Sequence, residues 1–151
     1  MKTAIFATVL AALPLSGAAL AQIETAPPLP FDSPQTMRAM EAVCTGAGTD
    51  AREDPRWGAY PLKIEVAGIQ GQYLGEVLIT VTKGEDAIVS VRCGGPWVLF
   101  RLEPGAYGVT AEVGGATKSA KVTVGGKNQA RVVIRFPEQG GAISPEFKPK
   151  T

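Results

Sequence analysis

The residues with chemical potential in this sequence are Cys44 and Cys93, a scatter of carboxylates, and the aromatics Trp57, Tyr60, Tyr73 and Trp97. The chain contains no histidine. That excludes Ser/His/Asp and Cys/His nucleophilic sites and every His-ligated metal centre. Neither GxGxxG nor GxxxxGK[ST] occurs, so the glycines do not form a recognised phosphate cradle. Asp50, Glu53, Asp54, Glu65, Glu76 and Glu112 are the carboxylates from which a glycosidase-type pair would have to come. Glu65, Glu76 and Glu112 fall on the polar phase of alternating segments, which reads as solvated surface. A calcium loop at 50–56 is spoiled by Arg52, Arg56 and Pro55, which interrupt the alternating acidic ligands such a loop needs. No catalytic residue, cofactor or metal ligand is therefore assigned. The aromatics offer sugar-stacking platforms if exposed, with Trp57 and Trp97 competing between that role and packing against a sheet. Trp57, Tyr60, Tyr73 and Trp97 are kept as candidate binding residues.

The meaning of the cysteines depends on the compartment. Lys2, an apolar stretch from Ala4 to Leu15 and the small-x-small sequence Ala19-Leu20-Ala21 describe a secretory signal peptide cleaved after Ala21. The apolar run is broken by Pro14 and Ser16-Gly17 and is shorter than the ~20 residues that span a bilayer. The mature chain, 22–151, has no membrane span and is expected in a bacterial periplasm. In an oxidising compartment an even cysteine count reads as a disulfide, so Cys44 and Cys93 are expected to pair. A redox or metal-binding pair is the alternative, disfavoured by the lack of a CxxC motif and of histidine. Closing a loop of ~50 residues is worth on the order of 4 kcal/mol in the chain-entropy model.

The whole chain has 151 residues, with 15 basic against 14 acidic side chains, and residues 22–151 balance to zero. That length suits one domain. The balance argues against nucleic acid or an anionic membrane as the main partner, since both select basic faces. Eighteen glycines and twelve prolines in a chain that is 45% apolar point to short strands and many turns. From Tyr60 to Phe136 the apolar period is two. Leu62/Ile64/Val66, Val77/Ile79/Val81, Val89/Val91/Cys93, Tyr107/Val109/Ala111/Val113, Ala120/Val122/Val124 and Val132/Ile134/Phe136 each share a phase. Residues 96–102 are apolar on both phases, as in a central strand covered on both sides. Turn residues stand between these runs, and Gly114-Gly115 fits a two-residue hairpin loop.

The reading is an all-β, seven-stranded antiparallel β-sandwich with one short N-terminal helix. The helix is expected from Ser33 to about Gly46, capped by Asp32 or Ser33, with Pro34 in its first turn and Met37, Met40 and Cys44 along one packing face. The chain divides into a signal peptide (1–21), a Pro-rich leader laid on the surface or flexible (22–32), the helix with a solvated charged loop (33–59), the sandwich (60–136) and a disordered tail (137–151).

Three blocks carry a resemblance. Gly71-Gln72-Tyr73-Leu74 precedes an alternating strand, Gly94-Gly95-Pro96-Trp97-Val98-Leu99 opens the next block, and Leu102-Glu103-Pro104-Gly105-Ala106-Tyr107-Gly108-Val109-Thr110-Ala111 has the form L-x-P-G-x-Y-x-V-x-A. Residues 62–136 thereby resemble the carboxypeptidase regulatory-like domains of secreted bacterial proteins. Many relatives have a second proline where Glu103 stands, and the cysteine pair is not a general feature of that family. The resemblance implies a transthyretin-like Greek-key sandwich that is not an enzyme and serves interaction or structural support. The expected partner is an envelope or secreted protein, met through an edge strand or the Trp57 loop. Binding of polysaccharide or cell wall is the alternative.

Overall fold

A computed structural model describes residues 26–68, 71, 74 and 76–137; the expected signal peptide, nearly all of the tail and Tyr73 lie outside the described residues. Among the described residues nine strands form two sheets: β1 (Gln35–Met37), β2 (Met40–Thr45), β3 (Leu62–Gly68), β4 (Val77–Lys83), β5 (Asp86–Cys93), β6 (Trp97–Arg101), β7 (Gly105–Val113), β8 (Ala116–Val124) and β9 (Ala130–Phe136). The five-stranded sheet runs β1-β2-β6-β3-β9 and the four-stranded sheet β5-β4-β7-β8. The seven expected strands are β3–β9. Their inward phases supply Leu62, Ile64, Val66, Ile79, Val81, Val91, Val109, Ala111 and Phe136, all essentially fully buried in one core between the sheets. Both glycines of the β7–β8 turn have positive φ, 55° and 83°, which suits the two-residue hairpin read from the sequence.

Three expectations are corrected. The N-terminal helix is absent: residues 35–45 are instead the β1–β2 hairpin, so the sandwich begins at Gln35 and has nine strands rather than seven. The hairpin turns on Arg38 and Ala39, both left-handed at φ 47° and 63°. A turn of this kind normally announces itself with Asn-Gly or Asp-Gly, and none is present to be read. Tertiary pairing overrides the helical spacing of the methionines, because β2 forms a five-residue antiparallel ladder with β6 from Glu41↔Arg101 to Thr45↔Trp97. Met37 and Met40 still do the packing expected of them, against the edge of the main core. The helical residues lie later, as one turn of α-helix (Thr49–Glu53) and a 3₁₀ turn (Pro55–Ala59), within the segment read as a solvated loop. Finally, the sandwich is not wholly antiparallel. β3 and β9 pair in parallel from Leu62↔Ala130 to Gly68↔Phe136, with strands β4–β8 serving as the long crossover that a parallel pair requires.

Cys44 of β2 and Cys93 at the end of β5 form a disulfide with Cα atoms 5.5 Å apart, so it clasps one sheet to the other rather than a helix to a sheet. The proline-rich leader reinforces the same place. The Leu29 N–H donates to the Arg92 carbonyl at 2.9 Å, Arg92 N–H donates to Pro27 at 3.0 Å, and Asp32 N–H donates to the Cys44 carbonyl at 2.9 Å. Residues 26–32 thus strap the edge of β5 to the free end of β2 and bury Leu29 in the core. The Phe31 ring lies on Gly94 and Gly95. A Cβ at Gly95 would sit 2.8 Å from both that ring and the Thr45 carbonyl, which explains a glycine there without any phosphate chemistry.

Replacing both cysteines with serine should lower the unfolding free energy by about 2–5 kcal/mol, read from urea unfolding under non-reducing conditions. An unchanged midpoint would mean that the strap alone clasps the sheets.

Candidate functional site

Three of the four aromatic candidates, Trp57, Tyr60 and Trp97, meet on the outer face of the five-stranded sheet. Trp97 and Leu99 of β6 point away from the main core and, with Val43 of β2, need cover. The 49–59 segment supplies it, forming a second cluster of Val43, Trp57, Tyr60, Trp97 and Leu99. Asp54 starts the 3₁₀ turn by accepting from the Arg56 N–H at 2.9 Å, with Pro55 in the first turn, so the local sequence fixes where Trp57 enters. Indole Nε1 of Trp57 donates to the Ala51 carbonyl at 2.8 Å. Gln129 Nε2 ties the segment down from the β8–β9 loop, donating to the carbonyls of Trp57 and Tyr60 at 2.7 and 2.9 Å.

The three rings are therefore spent on packing. Trp57 and Tyr60 are each 3% exposed and Trp97 is 7% exposed. Trp57 and Tyr60 meet at 59° rather than in one plane, with centroids 6.1 Å apart. Cations cover what remains: Arg56 over Trp57, Arg101 over Tyr60, and the Lys63 ammonium 3.4 Å from the Trp97 ring centroid. Gly46 closes the site against Trp97, since a Cβ there would lie 2.7 Å from ring carbons. These three residues do not form the exposed sugar platform that was the alternative use for them, and Trp57 is packed rather than projecting from a solvated loop. The Trp97 Nε1 is buried without a hydrogen-bond partner among the described residues.

The carboxylates are likewise committed. Glu65, read as solvated surface, is on the expected outer face of β3 but buried, held by Lys63 at 3.1 Å and by Arg131. Asp54 pairs with Arg56 Nη2 at 2.8 Å. The Arg56 side-chain hydrogen bonds, and next its backbone N–H, hold the Asp54 carboxyl below its ordinary range. Asp50, Glu53, Glu76 and Glu112 are all exposed: Asp50 and Glu53 share the Thr49–Glu53 helical turn, Glu76 immediately precedes β4 and Glu112 lies in β7. Among the described residues no group of three or more His, Cys, Asp or Glu could hold a metal ion. The L-x-P-G-x-Y block has a structural use: Tyr107 is buried and its hydroxyl donates to the Glu103 carbonyl at 2.7 Å, pinning the turn that leads into β7.

What remains open is the four-stranded sheet. On its outer face Ser90, Thr80, Thr110 and Ser119 stand in one row across β5, β4, β7 and β8. Thr80 and Ser90 hydroxyls are 2.9 Å apart, and those of Thr110 and Ser119 are 3.0 Å apart. Beside the row is a shallow, open hollow of about 770 Å³ lined by Thr82, Gly108, Thr110, Ser119, Lys121 and Thr123. The sheet edges also differ. β1 is three residues long, β5 is strapped at Arg92, and β9 is seven residues long; β8, at nine residues, is the longest edge strand. Thr80, Ser90, Thr110 and Ser119 each alternate with the apolar residues of their strand, but which strands neighbour one another is not written in the period.

No protein-family model matches the chain, and a search of curated proteins finds no match. The class that the structure defines is an all-β sandwich of two sheets joined by a disulfide. Among the described residues no helix is long and apolar enough to cross a membrane.

Burial, followed by the hydrogen bond to Glu41 and its negative charge, pushes the Tyr60 phenol up to about 12. The unfolded phenol releases its proton near 10. Between those values the folded chain holds a proton that the unfolded chain has lost. This contribution to stability is complete below pH ~10 and disappears as pH rises through the folded value. A phenolate-absorbance titration should show one tyrosine step near pH 12 that is missing in Tyr60→Phe; titration of every tyrosine near 10 would refute the buried contact.

Proposed function

We propose that this protein is an exported β-sandwich without enzymatic activity, of the carboxypeptidase regulatory-like type, that binds a protein of the bacterial envelope through an edge strand. Export rests on the leader ending at Ala21, and a disulfide between buried cysteines suits an oxidising compartment. The observation that carries the interaction reading is β8: nine residues at the edge of the four-stranded sheet, exposed along most of their length and laddered on one side by β7 alone. An edge of this length presents a row of main-chain donors and acceptors to which a partner strand can add. The Trp57 segment, the other surface considered for binding, supports the fold instead through its buried rings. The polysaccharide alternative now rests on the hydroxyl-lined hollow beside Thr110, Ser119 and Lys121 rather than on aromatic stacking.

The experiment is site-specific photo-crosslinking of the mature chain, 22–151, in its own periplasm, with the reactive group placed at Ser119 in β8 or at Glu53 in the helical cover. The expected result is a discrete protein adduct from Ser119 and none from Glu53. Adducts from Glu53 alone, or from Ser119 only to cell-wall material, would contradict the edge-strand reading.

A further inference from the structure

Charge is segregated in a chain that is almost neutral overall. Residues 114–136 carry Lys118, Lys121, Lys127, Arg131 and Arg135 and no aspartate or glutamate. This segment is β8, β9 and their loop, the edge strands that lie against each other on one side of the sandwich. Arg131 is engaged by Glu65, and Arg135 reaches the Gly68 carbonyl at 3.5 Å. Lys118, Lys121 and Lys127 have no ion pair among the described residues.

The two lysines of β8 stand on opposite phases. Lys121 is opposite Gly108, on the outer face beside the hydroxyl-lined hollow. Lys118 is opposite the buried Ala111 and so belongs to the inward phase, yet it is exposed because the sheet ends there. An inward-phase charge on an edge strand guards against pairing with a like edge. Two copies of β8 laid side by side would bring lysine as the only charged residue type to the seam, and like charges across strands repel. A strand carrying carboxylates would instead find opposite charge on both phases.

Resting on the interaction reading above, we propose that β8 receives an extended acidic segment of the partner protein by strand addition. The backbone of that segment pairs with the part of β8 (Ala116–Val124) that β9 leaves uncovered, and its carboxylates meet Lys118 and Lys121, with Lys127 beyond the far end of the strand. Self-pairing is disfavoured by the lysines, and a sugar polyanion would use the charge but leave the main-chain edge unpaired.

The test is amide NMR of labelled mature protein, 22–151, titrated with a blocked nonapeptide in which Glu alternates with Thr and Val. Controls are the same peptide with Lys for Glu, the acidic peptide N-methylated on alternate amides, and polygalacturonate. The expected result is shifts centred on β8 with the acidic peptide alone. These should weaken at least about fivefold in Lys118→Gln/Lys121→Gln, and at high salt, where exposed charge pairs are screened. Both lysines are exposed, and unchanged shifts elsewhere would report an intact fold. Absence of β8 shifts at about 1 mM peptide, the weakest affinity worth assigning, would overturn the proposal. Equal shifts with the N-methylated peptide or with polygalacturonate would overturn strand addition in favour of a general polyanion surface. If the peptide fails while Ser119 still cross-links to a protein partner, the acidic-strand inference falls and the interaction reading stands.

Discussion

The structure depends on one strand being apolar on both sides. Val98 and Phe100 of β6 enter the core between the sheets, and Trp97 and Leu99 face the other way. A sheet face bearing Trp and Leu in water forfeits roughly 25 cal/mol for every Å² left uncovered, so the five-stranded sheet requires a second layer. Trp57 and Tyr60 provide it, and Gln129 and the flanking cations hold that cover in place. β2 is drawn into the sheet by the same requirement, because β6 has a backbone edge to satisfy as well as two faces. Once the aromatics have been used in this way, the outer face of the five-stranded sheet is covered around β6, while the outer face of the four-stranded sheet keeps its hydroxyl row.

The two sides of the sandwich are treated differently. On the β5 side the disulfide and the strap of residues 26–32 act at one point, where Arg92, next to Cys93, exchanges backbone hydrogen bonds with the strap and the Cys44 carbonyl accepts one from it. The strap is an intramolecular strand addition: it consumes part of the β5 edge and plugs the opening with Leu29. On the β8 side no such segment is present among the described residues, and the charged side chains of that edge strand are Lys118 and Lys121. One side of the sandwich is cross-linked and strapped, and the other ends in a charged edge strand.

Most of the sandwich was legible because a half-buried strand writes a period of two. Leu62/Ile64/Val66 and Val132/Ile134/Phe136 turned inward as the alternation required, and the two-phase apolar run at 96–102 correctly implied cover on both sides. The hairpin at 35–45 was not legible. Its turn uses Arg38 and Ala39 in a conformation that favours glycine or asparagine, and Met37, Met40 and Cys44 happen to fit a helical stripe. Only the ladder to β6, a contact between residues about 60 positions apart in sequence, decides the matter. The use of the aromatic candidates is likewise decided by contacts distant in sequence. Residue type nominated Trp57, Tyr60 and Trp97, but exposure is set by what packs over them, and Trp57 and Tyr60 are themselves the packing. Glu65 was placed on the right phase, yet it is buried and ion-paired with Arg131, on a strand that is adjacent only through the parallel β3–β9 pairing. The unlike fates of the four edges depend on sheet order, which periodicity does not encode.

Amide hydrogen exchange on the mature chain, 22–151, would test this division most directly. The account predicts that Val98–Phe100 of β6 exchange only through global unfolding, that Leu29 and Asp32 are protected by the strap, and that alternate amides of β8 exchange quickly in the isolated protein. Uniform protection along β8 would mean that this edge is already covered, and rapid exchange in β6 would mean that the double-sided burial does not hold the sandwich together.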